Sequence, residues 1–326
     1  MIEKTAVIIG GGPAGAACAG RLKAAGLDDL LILDKKRFPR LKLCAGWVTP
    51  QVFRLLGTAP EAYPGSLIPF NRLICHFRGR RVPVRTRQYS IRRYEFDEWL
   101  LERAGAPQAE HAVRHIRREN GRFVIDERYR AQYLVGAGGT HCPVYRELFQ
   151  PLYPRSENRR ISTVEEEFRC HIRDTNCYLW FFDDGLPGYA WYVPKGGGYV
   201  NIGIGGKAAS IKKQGKTINT YWRAFKKKLL AGGWVPDREF NASGHVYYTR
   251  ARRPVLEMGN AYLTGDAAGL ATVDMGEGIG PAIQSGIRAA RAIIEHRPCR
   301  MPAATRYSFP EILFPGIYSL LPANDP

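Results

Sequence analysis

The stretch Thr5-Ala6-Val7-Ile8-Ile9-Gly10-Gly11-Gly12-Pro13-Ala14-Gly15 decides the fold. Thr5 to Ile9 reads as a buried strand. The glycines read as a tight turn. The small residues after them read as a helix running to about Ala25, with Gly26 as its stop. Leu30 to Leu33 is a second apolar run, and it ends at Asp34. A strand-turn-helix-strand unit of this kind implies a parallel sheet in an α/β architecture. Gly10 permits the turn, Gly12 lets the backbone approach a pyrophosphate, and Gly15 lets helix and strand pack closely. Pro13 and Ala14 open the helix, whose free N–H groups suit phosphates. Asp34, followed by Lys35, stands at the spacing of an acid that accepts from ribose hydroxyls. The strand before, the helix after and the acid downstream together predict a bound dinucleotide.

The chain has 326 residues, enough for two domains or one large domain with an inserted sheet. At 45% hydrophobic and 24% charged it excludes a mainly disordered protein. Its 48 Lys+Arg against 30 Asp+Glu give a net charge of +18, which predicts attraction to anions. No nucleic-acid-binding module accompanies that charge, so nucleic acid is not the expected partner. Cys18, Cys44, Cys75, Cys142, Cys170, Cys177 and Cys299 show no CxxC spacing. They read as reduced thiols, with no metal site and no disulfide framework. A secretory leader and an apolar run of about 20 residues are both missing, which predicts a cytoplasmic protein.

Farther along, Arg72 to Val84 reads as a strand or hairpin and Tyr94 to Ala104 as a helix. Val113 to Asp126 reads as two strands joined at Asn120-Gly121. Gln132 to Gly136 returns to the buried-strand pattern. Thr163 to Phe168, Cys177 to Phe182, Tyr189 to Pro194 and Tyr199 to Ile204 read as successive antiparallel strands, with a turn at Lys195 to Gly198. Ile218 to Leu230 is an amphipathic helix with a basic face. Asn260 to Leu263 is a strand, and Pro281 to Glu295 is a helix. A second chemical signal follows the strand at 260: Gly265-Asp266, then Gly276-Glu277-Gly278-Ile279 opening a helix. Asp266 there could accept from a ribityl hydroxyl. Amides at Gly276, Gly278 and Ile279 could stabilise negative charge on the N1–C2=O edge of a reduced flavin. Alone, a Gly-Asp pair is an ordinary turn.

Together these motifs resemble the p-hydroxybenzoate hydroxylase superfamily of flavoproteins, and within it the geranylgeranyl reductase group. The resemblance covers about the first 290 residues. Lys42-Leu43-Cys44-Ala45-Gly46 is similar to the group's basic-x-Cys-Gly-Gly segment beside the flavin. Arg93-Tyr94-Glu95-Phe96-Asp97-Glu98-Trp99-Leu100 resembles its Arg-x-x-Phe-Asp-x-x-Leu helix. Pro187 to Lys195 resembles its Gly-Tyr-x-Trp-x-Phe-Pro-Lys strand, and Asn201-Ile202-Gly203-Ile204-Gly205 its Asn-x-Gly-x-Gly strand. The resemblance implies a Rossmann-like FAD-binding domain with an interleaved, mostly antiparallel β-sheet substrate domain. The expected FAD-binding parts are 1–70, 92–112, 127–155 and 256–300. The expected substrate-sheet parts are 71–91, 113–126 and 156–255, with a C-terminal tail over 301–326.

The same resemblance places Lys42, Cys44, Ala45, Gly46 and Arg93 at the cofactor. Lys42 suits the pyrophosphate. Cys44 reads either as a thiol near the flavin, a first choice of proton donor, or as a small buried hydrophobe. Trp191 and Tyr189 read as catalytic-site wall or as sheet core. Glu277 is near the flavin or is a helix N-terminal acid. His141 and Cys142 do not read as a catalytic pair, because neighbours on a strand point to opposite faces. Two departures stand out. Gly138 occupies the place of the acid in the superfamily's middle motif, which argues against ordinary NADPH docking. Family reductases also continue with more helical structure, so a tunnel for a long isoprenoid is expected to be incomplete.

The function expected from the resemblance is hydride transfer from reduced FAD to an alkene of an apolar or lipid-like substrate. The alternative is a flavin-dependent monooxygenase of an aromatic or peptidyl substrate. A halogenase is disfavoured, because no Trp-x-Trp-x-Ile-Pro segment occurs. The basic segment Lys207 to Lys228, with Trp222 and Phe225, reads as a solvated face, a peripheral membrane contact, or a dock for an acidic electron donor such as ferredoxin. Phe309 to Leu321 reads as a lipid-facing lid or a packed tail.

Overall fold

The computed structural model describes residues 1–320. Two sheets organise the chain. The first contains β1 (Ile2–Ile9), β2 (Leu30–Asp34), β6 (Gln108–Glu110), β7 (Ile116–Glu119), β8 (Arg122–Ile125), β9 (Tyr129–Gly136), β15 (Glu257–Met258) and β16 (Ala261–Leu263). Its main path runs β15-β16-β9-β1-β2-β6, parallel from β16 to β6. The second sheet contains β3 (Trp47–Val48), β4 (Leu67–Phe77), β5 (Arg80–Ile91), β10 (Arg160–Arg169), β11 (Cys177–Phe181), β12 (Gly188–Lys195), β13 (Tyr199–Lys207) and β14 (Ser243–Tyr248). Its order is β14-β10-β13-β12-β11-β4-β5-β3.

Helices α1 (Pro13–Ala24), α3 (Arg93–Ala104) and α6 (Ile279–Glu295) cover one face of the first sheet. The small residues of α1 allow this. A side chain at Gly286 of α6 would collide with the Ala14 carbonyl, so only glycine permits the approach of the two helices. Apolar side chains such as Leu22, Ile8, Ile32 and Ile283 are buried between these layers. Each contributes roughly 1.5–3 kcal/mol by leaving water. The outer face of the second sheet is covered by α5 (Ile218–Ala231), with short α4 (Ala208–Lys213) beside it. Helix α2 (Pro50–Leu55) lies against α6, and α7 (Phe309–Leu313) against β5.

Four expectations are corrected. The hairpin within 113–126 belongs to the first sheet, not the second, because β8 pairs antiparallel with β9. Its turn is as expected, with positive φ at both Asn120 and Gly121. Strands β10 and β11 are not neighbours: β10 lies between β14 and β13, and β11 pairs parallel with β4. Local pattern reports a strand but not its partner. Helix α6 begins at Ile279, two residues before Pro281, since proline is tolerated in a first helical turn. Finally, β4 begins at Leu67, so a boundary at residue 70 cuts through a strand. The tail placed at 301–326 is described to Leu320. It turns Ile312 and Glu311 inward and leaves Phe309, Leu313 and Phe314 exposed. Leu321, like the rest of 321–326, lies outside the described residues.

Candidate active site

The carboxyl ends of β1, β2 and β9 and the inner face of the second sheet enclose a cavity of about 700 Å³. That lies within the roughly 300–1,000 Å³ usual for cofactor and ligand sites. Gly10, Gly12, Pro13, Ala14, Asp34 and Lys35 line one part of it, with Gly138, Gly265, Asp266, Gly276, Gly278 and Ile279 beside them. Lys42, Cys44, Ala45, Arg93, Tyr189 and Trp191 also line it. Gly15 and Gly46 do not; they act behind the wall.

The glycine turn fits a dinucleotide by its shape. Gly10 has φ +110°, and a side chain on it would strike Ala137. A side chain on Gly15 would strike the Gly10 carbonyl. Gly12 caps α1 with no side-chain hydrogen bond, so the helix start reaches the cavity as bare backbone. The Asp34 carboxylate accepts the Gly11 N–H at 2.8 Å and the Lys36 N–H at 2.9 Å, which fixes the turn. Across the cavity, the Gly265 N–H donates to Ser285 Oγ at 2.9 Å, and Gly278 caps α6, again with no side-chain hydrogen bond. Two uncapped helix starts therefore meet one cavity, as an anionic cofactor with two polar ends requires. The middle segment carries no acid: Gly138 is exposed and lines the cavity. A side chain at Gly138 would come within 3.3 Å of Cys142 Cα. Arg155 ties this segment to the Gly265 turn, donating to the carbonyls of Thr140 (2.7 Å) and Ala267 (2.5 Å).

The Cys44 segment is held from three sides. The Arg93 guanidinium makes a bidentate pair with buried Asp97, at 2.6 and 2.8 Å, and its charge lies near the Cys44 thiol. The Gly46 N–H donates to the same sulfur at 3.3 Å. Lys195 is fully buried and donates to the carbonyls of Ala45 and Ile91 (2.8 Å for the latter). Burial pushes its ammonium down to about 8. A side chain at Gly46 would collide with Ile91 and Lys195, and its φ is +61°. Lys42 does not stand alone in solvent: its ammonium lies 3.1 Å from His245 Nε2. An ammonium only donates, so that imidazole nitrogen accepts and Nδ1 carries the proton. Burial, with Lys42 adding to it, pushes His245 down to about 4.

The second sheet supplies the opposite wall. Register places Glu165, Gly203 and Trp191 in one row across β10, β13 and β12, and Thr163, Gly205 and Tyr189 in another. The glycines leave space that the Trp191 indole fills. Tyr189 and Trp191 pack at 5.8 Å between ring centres. The Tyr189 hydroxyl donates to the Met275 carbonyl at 2.5 Å, linking this wall to the α6 turn. Trp191 Nε1–H donates to Asn201 Oδ1 at 2.7 Å, and Asn201 Nδ2–H donates to Glu165 Oε2 at 3.2 Å. Burial raises the Glu165 carboxyl to about 7. Glu277, at the mouth of α6, is also raised to about 7 by burial, and it accepts from Ser308 Oγ at 3.0 Å.

Sequence reasoning missed Glu165, His245, Tyr247 and Lys195 as site residues. Lys195 and Asn201 stood inside quoted motifs, where their types were visible and their contacts were not. Glu165 carried no signal beyond being an acid in an apolar strand. The basic segment is settled in one respect. Trp222 and Phe225 are buried against the second sheet, so they are not available to a bilayer. Lys212, Lys213, Lys216, Arg223 and Lys227 remain exposed. Among the described residues, no helix is long and apolar enough to cross a membrane and no His/Cys/Asp/Glu group could hold a metal.

No family model matches the chain. It is 31% identical over 320 residues to an uncharacterized protein of Methanosarcina barkeri, covering 90% of this chain and 75% of that one. It is 27% identical over 311 residues to digeranylgeranylglycerophospholipid reductase 1 of Methanopyrus kandleri, covering 90% and 81%. Its fold is similar to that of a geranylgeranyl bacteriochlorophyll reductase-like protein of Thermoplasma acidophilum, with a TM-score of 0.76 at 20% identity, over 90% of this chain and 79% of the other. The residues around the cavity fit FAD, and the comparisons agree with that cofactor. The chain belongs to the geranylgeranyl reductase group of FAD-dependent oxidoreductases, within the p-hydroxybenzoate hydroxylase superfamily.

Proposed function

We propose that this oxidoreductase saturates an alkene of an apolar, lipid-like substrate. One observation carries the reading: the glycine cradle and an aromatic wall, the Trp191 indole over Gly203 and Gly205 with Tyr189 beside it, face the same cavity. The name of the Methanopyrus relative, a reductase of an isoprenoid lipid, supports that substrate class. Bound FAD, once reduced, supplies the hydride. The chain does the rest. Trp191 and Tyr189 hold an apolar chain by contact and exclude water from the reacting carbons. The start of α6 presents backbone dipoles that favour the negative charge of the reduced cofactor. Cys44, held by the Gly46 N–H, shapes the wall between cofactor and substrate. Glycine at position 138, where the superfamily motif has an acid, supports an electron source other than directly docked NADPH. The exposed basic face of α4 and α5 suits an acidic donor such as ferredoxin.

The test is a single turnover without oxygen. Holoenzyme is reduced with dithionite and mixed with a geranylgeranyl-chain lipid. Reoxidation of the flavin, with a product two hydrogens heavier per alkene, is the expected result. A flavin that reoxidises only when oxygen is admitted, with oxygen found in the product, would overturn the reading in favour of a monooxygenase.

A further inference from the structure

We infer that Glu165 delivers the proton to the alkene carbon that does not receive the hydride. This rests on the reading of the site as an alkene reductase. Glu165 is 3% exposed, yet it lines the cavity in the same row as Trp191. Its partner fixes where a proton must sit. An indole N–H can only donate, so Trp191 Nε1–H orients the Asn201 amide with Oδ1 toward the ring. That leaves Nδ2 to donate to Glu165 Oε2. The acidic proton therefore resides on Oε1, which has no hydrogen-bond partner among the described residues. No cation makes an ion pair with this carboxyl among the described residues either. Burial favours the neutral acid, and the group titrates at about 7.

The other candidates are spoken for. Cys44 sulfur receives the Gly46 N–H, with the Arg93 charge nearby. Glu277 is occupied by Ser308 and by the backbone at Gly280. The Tyr189 hydroxyl proton is given to Met275, and burial makes Tyr189 and Tyr247 weaker acids than usual. The charged and titratable groups around Glu165 are Lys42, Lys195 and Arg93, which favour its anion, with Tyr247 also nearby.

The step balances. The alkene π bond breaks. One carbon gains the hydride from the reduced cofactor, and the other forms a C–H bond to the proton leaving Oε1. Glu165 is left as a carboxylate, held by the Asn201 amide and the field of Lys42 and Lys195, and it regains its proton from solvent.

Glu165→Gln keeps the shape and removes the acid; Glu165→Asp keeps the acid at shorter reach. Both are compared with wild type as flavin-loaded, anaerobically reduced protein in single turnover with a geranylgeranyl-chain lipid. Flavin content and the rate of chemical reduction are expected to match wild type. Alkene-dependent flavin reoxidation is expected to slow by about 100-fold or more in Glu165→Gln. The wild-type rate should fall as pH rises through about 7. Glu165→Asp should recover part of the rate and keep a pH dependence, and Glu165→Gln should show none. Infrared spectra of flavin-free protein give an independent readout: the neutral carboxylic acid band that bleaches through about pH 7, to which Glu165 and Glu277 both contribute, loses the Glu165 share in Glu165→Gln and keeps the Glu277 share. A Gln variant with the wild-type rate and profile overturns the role of Glu165 and leaves alkene reduction standing. A wild-type enzyme that reduces no alkene overturns both.

Discussion

The indole of Trp191 lies where a side chain at position 203 would have to be. A methyl group on Gly203 would collide with the indole edge and with Glu165 Cβ at 2.7 Å. The ring's position on the cavity wall is therefore owed to the absence of a side chain on the next strand. Gly203→Ala is expected to push Trp191 off the row and weaken its bond to Asn201. Overpacking of this kind costs about 1–3 kcal/mol. Thermal unfolding and tryptophan fluorescence should report the displacement, with turnover falling further than stability does.

The contact between Gly15 and the Gly10 carbonyl has the same logic at the cofactor end. Gly15→Ala must drive α1 away from β1 and open the cradle. The variant is expected to purify without flavin. Added FAD should no longer raise its melting temperature, whereas it should raise that of flavin-stripped wild type. Equal flavin content in the two proteins would refute this.

Lys195 clamps the Cys44 segment to the end of β5 through Ala45 and Ile91. Lys195→Met fills the volume but leaves those carbonyls without their ammonium partner. A loss of about 1–3 kcal/mol is expected. Weaker flavin retention should accompany it, measured by flavin release under mild denaturant.

His245 sets an acid limb. Its folded-state value is lowered from 6.5 to about 4, so the fold gains from the neutral ring. That stability is complete above about 6.5 and is lost as pH falls through about 4. The span corresponds to about 3 kcal/mol. Glu165 and Glu277 act oppositely, favouring the fold below their raised values, so the bare pH curve mixes the three. His245→Gln isolates the term: its melting temperature should fall less than wild type between pH 6.5 and 4.

The exposed cations of α4 and α5 should act on association and not on chemistry. Charge reversal at Arg223 and Lys227 is expected to slow flavin reduction by an acidic donor such as ferredoxin and to flatten its salt dependence. Single-turnover rates after dithionite reduction should be unchanged. A donor-driven rate that ignores both the substitutions and the salt would exclude this surface as the dock.

Much of the fold was legible because it is written locally. The strand-glycine-helix unit, the Asn120-Gly121 turn and the alternation along β12 and β13 each depend on residues a few positions apart. The glycine turns that line the cavity were legible for the same reason, since turns at helix starts are shaped by local backbone freedom. Sheet membership was not legible. The 116–125 hairpin and the parallel pairing of β11 with β4 depend on which edge is free, and no local pattern encodes that.

The sequence by itself determined an FAD-type α/β scaffold and its glycine turns, and left Tyr189 and Trp191 open between cavity wall and sheet core. Only the tertiary structure decided which ordinary residues are brought together around the cavity. Glu165 is one acid among many until β10 pairs with β13, and Lys195 is one lysine among many until β12 passes under the Cys44 segment. The physical reason is that acidity and hydrogen-bond capacity belong to an environment. Burial, and partners brought from distant parts of the chain, create that environment only when the sheets close around the cavity.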